Sequence, residues 1–84
     1  MKDISEQVSI AAANYNNARF LVDFFESIVT SSRRPQVLHI CDDGSTDDSV
    51  QIIADYASRY DWISPIYFEK NRGVAHATNA AIDA

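Results

Sequence analysis

A single cysteine, Cys41, is all that this 84-residue chain carries, so no disulfide can form within it and its composition suits a reducing compartment. Cys41 lies in an apolar run and reads as a small buried hydrophobe. Basic residues are scarce as well. Seven Lys and Arg stand against twelve Asp and Glu, a formal net charge of −5. A phosphate backbone needs a basic face, which excludes nucleic acid as a general partner but not a small nucleotide at a local site. No uncharged apolar run approaches the ~20 residues of a membrane span. Met1 to Gln7 is charged and has no apolar signal core, so a cytoplasmic location is expected, with any membrane association left to a longer parent protein. The two glycines form neither Gly-x-Gly-x-x-Gly nor Gly-x-Ser-x-Gly, and His39 and His76 have no metal-ligand spacing with the cysteine. Repeats, linkers and low-complexity tracts are missing too.

What remains is an ordinary globular composition, 46% hydrophobic, in a length that allows one small domain. Val8 to Ala13 is a small-apolar run stopped by Asn14-Tyr15-Asn16-Asn17, the pattern of a strand covered on both faces. Phe20, Leu21, Phe24, Phe25, Ile28 and Val29 then recur at helical spacing, with Asn16 or Asn17 available as a cap and Pro35 beyond the end. Gln36 to Cys41 predicts a second strand, running into Asp42-Asp43-Gly44-Ser45. Ser45 and Asp48 have capping-box spacing before a second helix, whose apolar face holds Val50, Ile53, Ala54 and Ala57, broadened by Ile52, Tyr56 and Tyr60. Ile63 to Phe68 predicts a third strand, with Pro65 weakening its start or marking an edge. Asn71-Arg72-Gly73 forms a turn, and Val74, Ala77, Thr78, Ala81 and Ile82 begin a third helix. Strictly alternating strands and helices mean parallel strands with right-handed crossovers: an α/β, open, three-stranded βαβαβα sheet, taken as one partial domain over residues 1–84.

Ligands of open parallel sheets bind beyond the carboxyl ends of the strands. Each predicted strand here ends in a polar cluster, so a ring (Tyr15), two carboxylates (Asp42 and Asp43) and a guanidinium (Arg72) arrive at one rim. The opposite rim has Arg33, Arg34 and Gln36 on one loop, Asp61 and Trp62 on another. An acid before a helix is often only a cap, yet two carboxylates beside Ser45 exceed what capping needs. A strand-end carboxylate can accept a pyrimidine N–H or bind a ribose hydroxyl, and Gly44 lets the backbone come close to a ligand. Tyr15 offers a flat face for a nucleobase or for packing on the first helix. Arg72 suits a diphosphate, or is a solvated turn residue.

Val8-Ser9-Ile10-Ala11-Ala12-Ala13-Asn14-Tyr15-Asn16, Asp42-Asp43-Gly44-Ser45-Thr46-Asp47 and Asn71-x-Gly73-x-x-x-Ala77-x-Asn79 stand in the order and spacing that open the large family 2 of glycosyltransferases, which the chain resembles over nearly its whole length. The resemblance implies the N-terminal, Rossmann-like part of a GT-A fold and sugar transfer from a nucleotide donor, usually a UDP-sugar, with inversion, of the kind used to build cell-surface polysaccharide. It implies that Ala13, Tyr15, Asn16, Asp42, Asp43, Gly44, Arg72 and Gly73 surround the nucleotide. Tyr15 would lie against the base, Asp43 would bond it, Asp42 would support that loop, and Arg72 with the segment 71–79 would stand near base and diphosphate. The family's Asp-x-Asp metal motif and catalytic base belong to later segments. Hence no catalytic or metal residue is assigned here, a divalent metal (Mg or Mn) is expected only with the full-length enzyme, and the 84 residues alone are expected to be inactive.

Ala13 replaces a frequent proline, Asn14 a threonine or serine, Thr78 an arginine and Ala81 a glycine. The family's strand order leaves the first strand as an open apolar edge in this piece, which predicts self-association through it. A non-catalytic nucleotide-binding or assembly module is the alternative. A receiver-like signalling domain fits poorly, because its acidic pocket draws on two strand ends and the third strand here leads into Asn71 and Arg72.

Overall fold

The computed structural model describes residues 8–32 and 34–84. The charged segment 1–7 and Arg33 lie outside the described residues. Six elements alternate: β1 (Ser9–Asn14), α1 (Ala18–Val29), β2 (Val37–Asp43), α2 (Ser49–Arg59), β3 (Ile63–Phe68) and α3 (Val74–Asp83). The strands form one parallel sheet in the order β1-β2-β3, with Ala13 opposite Cys41 and Asn14 opposite Asp42, then Asp42 opposite Tyr67 and Asp43 opposite Phe68. All three strands therefore end along one rim.

Side chains alternate across a strand, so β2 feeds two cores. Leu38 and Ile40 point to the face covered by α1 and α2, where they meet Leu21, Phe25, Ile53, Tyr56, Trp62 and Ile63. Cys41 points to the other face, where Ala77 and Ala81 of α3 close over it with Ala13, Ile66 and Phe68 alongside. The small residues of α3 let that helix lie close to β1 and β2. Phe25 is fully buried and stacks on Tyr56 with ring centroids 4.5 Å apart. Burial of a side chain of this size contributes roughly 1.5–3 kcal/mol. The Tyr56 hydroxyl, at the polar end of that stack, donates to Glu26 Oε2 at 2.6 Å and ties α2 to α1.

Several local expectations change. β1 is an edge strand whose Ser9 and Ala11 are exposed, so its apolar character reflects small residues and not cover on both faces. β2 is the covered strand, and it runs two residues past the expected end, through both aspartates. Pro65 sits opposite Ile40 on β3, an outer strand of the described sheet, where a residue without an N–H is tolerated. The buried face of α2 centres on Ser49, Ile53 and Tyr56, leaving Val50 and Ala54 exposed. On α3 only Ala77 and Ala81 are buried, while Val74 and Ile82 are open. Phe20 of α1 is 62% exposed. No described helix is long and apolar enough to cross a membrane.

Candidate nucleotide site

Two hydrogen-bonded knots assemble the rim. The first is centred on Asp42, which is fully buried. Its Oδ1 accepts from Asn14 Nδ2 at 3.0 Å and from Ser45 Oγ at 2.7 Å, and its Oδ2 accepts from Ser45 N at 2.9 Å. Asp42 thus joins the β1–α1 loop to the β2–α2 loop. Ser45 cannot be the helix cap its spacing suggested, because its hydroxyl is spent on Asp42 and accepts from Asn16 N at 2.9 Å. The helix begins four residues later, at Ser49.

The second knot is centred on Asp43. Its Oδ1 accepts from Arg72 N at 2.6 Å, and its Oδ2 accepts from Asn71 Nδ2 and Gly73 N, both at 2.9 Å. This carboxylate anchors the β3–α3 loop. Gly44 completes the anchorage: its φ is +73°, and an added Cβ would lie 2.5 Å from the carbonyl carbon of Lys70. The close approach that requires glycine is thus to residues 70–71 of the chain itself. Gly73, at φ +101°, is the N-cap residue immediately before α3.

Between the knots lies a hollow of about 280 Å³, lined by Ala13, Asn14, Tyr15, Asn17, Asp43, Asn71 and Val74. Tyr15, 45% exposed, is part of that lining. Of the predicted site residues, Ala13, Tyr15 and Asp43 come together in it. Asp42 stands behind the wall as a tie. Asn16, exposed and left-handed at φ +49°, turns its amide away to accept from Thr46 N at 2.7 Å. Arg72 reaches the site only through its backbone N–H. Its guanidinium lies over the Phe68 ring, 5.1 Å from the centroid, beside a separate depression lined by Tyr67, Phe68, Glu69 and Lys70.

Asn71 and Val74, from the segment 71–79 that the resemblance puts near base and diphosphate, line the hollow, and so do Asn14 and Asn17, which the sequence did not single out as binding residues. Asp47 carries the capping work: its Oδ1 accepts from Ser49 N at 2.9 Å and its Oδ2 from Ala18 N at 3.0 Å. Asn17, the residue before α1, makes no side-chain cap bond, so the Asp47 carboxylate takes that place from another loop. Ser49, above all, and the Ala18 N–H hold the Asp47 carboxyl below its ordinary pKa, against the opposing effect of burial. An aspartate two residues before a helix is a recognised turn and capping signal, and it was available. Burial, then the charges of Asp43 and Asp42, pushes the Cys41 thiol up. Tyr67 is raised by burial and by Asp42 across the strand pair.

The acidic run does not fit a divalent cation. Asp42 and Asp43 each already accept three hydrogen bonds, and among the described residues no group of three or more His, Cys, Asp or Glu could hold a metal.

The family described as glycosyl transferase family 2 matches residues 9–84. Chondroitin synthase of Escherichia coli is 33% identical over 75 residues, which is 89% of this chain and 11% of that protein. Poly-beta-1,6-N-acetyl-D-glucosamine synthase of Staphylococcus epidermidis is 31% identical over 77 residues, 92% of this chain and 18% of that protein. A mannosyltransferase from Pyrobaculum calidifontis, solved with GDP-Man and Mn2+, superposes with a TM-score of 0.80 at 21% identity, covering 92% of this chain and 24% of that one. The chain therefore spans between about a tenth and a quarter of these relatives, and its βαβαβα unit matches the N-terminal, Rossmann-like portion of a GT-A glycosyltransferase. With the fold, the rim motifs and the match over residues 9–84 in agreement, the chain belongs to glycosyl transferase family 2.

Proposed function

We propose that this chain is the donor-binding part of a glycosyltransferase that moves a sugar from a nucleoside diphosphate, with UDP as the leading candidate, to an acceptor with inversion. The observation that carries the reading is the meeting of Tyr15 and Asp43 in the lining of one hollow at the carboxyl rim of a parallel sheet. A base stacked on Tyr15 has an acceptor within the same hollow. A carboxylate offers roughly four acceptor sites, two on each oxygen. Two donors fill Oδ2 and one occupies Oδ1, leaving one site on Oδ1 for a base N–H.

Arg72 is left out of the base contact, since its guanidinium belongs to the neighbouring depression. The divalent metal and the catalytic base are assigned to segments other than this one, so the 84 residues bind donor without turning it over. The solved relative's GDP-Man and Mn2+ support a nucleotide-sugar and a metal for the intact protein. We further propose a cytoplasmic-side location and pairing of copies along the open edge of β1 in the isolated piece; light scattering showing only monomer at high concentration would count against the pairing.

Calorimetry of the intact protein with UDP, with GDP and with magnesium alone tests the central reading. UDP binding that disappears in Asp43→Ala supports it. Magnesium binding without any nucleotide binding would overturn it, and binding without transfer by the intact protein would favour a non-catalytic module.

A further inference from the structure

No hydrogen bond among the described residues holds the side chain of Tyr15, yet the chain on either side of it is tied down. On one side Asn14 Nδ2 donates to Asp42 Oδ1 at 3.0 Å. On the other, Asn16 N donates to Ser45 Oγ at 2.9 Å. Beyond that bond the two loops exchange caps. Asn16 Oδ1 accepts from Thr46 N at 2.7 Å and Asp47 N at 3.3 Å, while Asp47 Oδ2 accepts from Ala18 N at 3.0 Å. Each loop's side chain thus satisfies backbone donors of the other. Asn16 reaches this geometry in the left-handed region, at φ +49°, which asparagine tolerates better than most residues. Asp47 also accepts from Ser49 N at 2.9 Å, so the clasp is seated on the first turn of α2.

We propose that the reciprocal Asn16–Asp47 clasp fixes the Tyr15 backbone so that its ring is presented to the nucleobase, making Asn16 and Asp47 positioning residues that act through Tyr15 and do not touch the ligand. The inference rests on the nucleotide reading above. A ring held in its bound position carries no ordering cost at the moment of binding, so the clasp raises affinity without adding a contact. Asn16 then has a different role from the direct nucleotide contact that sequence resemblance implies.

The test is a double-mutant cycle in the intact protein, with UDP and GDP affinities read by calorimetry. Asn16→Gly is the first variant, because glycine adopts φ +49° without strain while the side-chain acceptor is lost. Asp47→Ala removes the other half. Tyr15→Ala is expected to weaken binding about tenfold, the size of a base-stacking loss. Asn16→Gly and Asp47→Ala are each expected to weaken it several-fold, and Tyr15→Ala/Asn16→Gly to bind no worse than Tyr15→Ala alone. A merely structural role predicts a lower unfolding midpoint with no such dependence on Tyr15. Wild-type affinity in Asn16→Gly, or losses that simply add in the double variant, overturns the proposal. Failure of the unmodified protein to bind UDP or GDP is a separate result, which overturns the nucleotide reading itself and this inference with it.

Discussion

Asp42 and Asp43, adjacent at the end of β2, turn their carboxylates to opposite faces of the sheet: one ties the β1–α1 loop to the β2–α2 loop, the other ties the β2 end to the β3–α3 loop. The alternation of a strand produces this division of labour. Both are nearly or fully buried, so truncating either leaves donors facing a void. Asp42→Ala and Asp43→Ala are each expected to lower the unfolding free energy by about 1–3 kcal/mol, the cost of buried donors left unpaired. Urea denaturation measures this. A change within about 0.5 kcal/mol, as for a neutral surface site, would contradict the tying role.

The two glycines are expected to differ. At Gly44 a Cβ meets backbone atoms of Lys70 and Asn71, which cannot swing aside, whereas at Gly73 nothing lies within 4 Å of the added atom. Both have positive φ, so both alanine variants are strained, Gly73 in a region (ψ 154°) that is essentially reserved for glycine, at a backbone cost of about 1–3 kcal/mol each. Gly44→Ala adds displacement of the β3–α3 loop and should lose clearly more stability than Gly73→Ala. Equal unfolding midpoints would show that the loop is not seated on Gly44.

Tyr15→Ala separates binding from folding. Tyr15 is 45% exposed and lies outside both hydrophobic clusters, so stability should change by no more than about 0.5 kcal/mol. Nucleotide affinity should fall by about 1–3 kcal/mol, the range for losing an aromatic stacking partner. Calorimetry with UDP beside thermal unfolding reads both quantities, and a stability loss without an affinity loss would reassign the ring to packing.

Two groups give opposite pH dependences. The Cys41 thiol is raised in the fold, by burial first, so the native state holds its proton more tightly than the unfolded chain does. Its contribution is complete below the unfolded thiol value of about 8.5 and declines as pH rises through the folded value. Accordingly, Cys41 should resist a disulfide reagent at pH 8 in the native protein and react on unfolding; prompt labelling of the folded chain would contradict its burial. Asp47 is lowered, so its contribution is present above the unfolded carboxyl value of about 3.9 and is lost as pH falls through the lower folded value. Asp47→Asn should flatten that part of the acid-unfolding profile.

Strand and helix order were legible because periodicity survives in a single sequence: β3 begins and ends where its apolar run does, and the alternation of elements leaves only a parallel sheet. That the polar clusters share one rim follows from the same topology. Direction within the rim does not. Sequence places Arg72 beside Asn71 but cannot show that Asn71 turns in while the Arg72 guanidinium lies over Phe68. Nor can it show that Ser45, spaced as a cap for α2, is consumed by Asp42, leaving capping to Asp47. Local spacing determines which residues arrive at the edge of the sheet, because it sets where each element stops. Which of them face the hollow was decided only by tertiary packing, where loops distant in sequence compete for the same donors and acceptors.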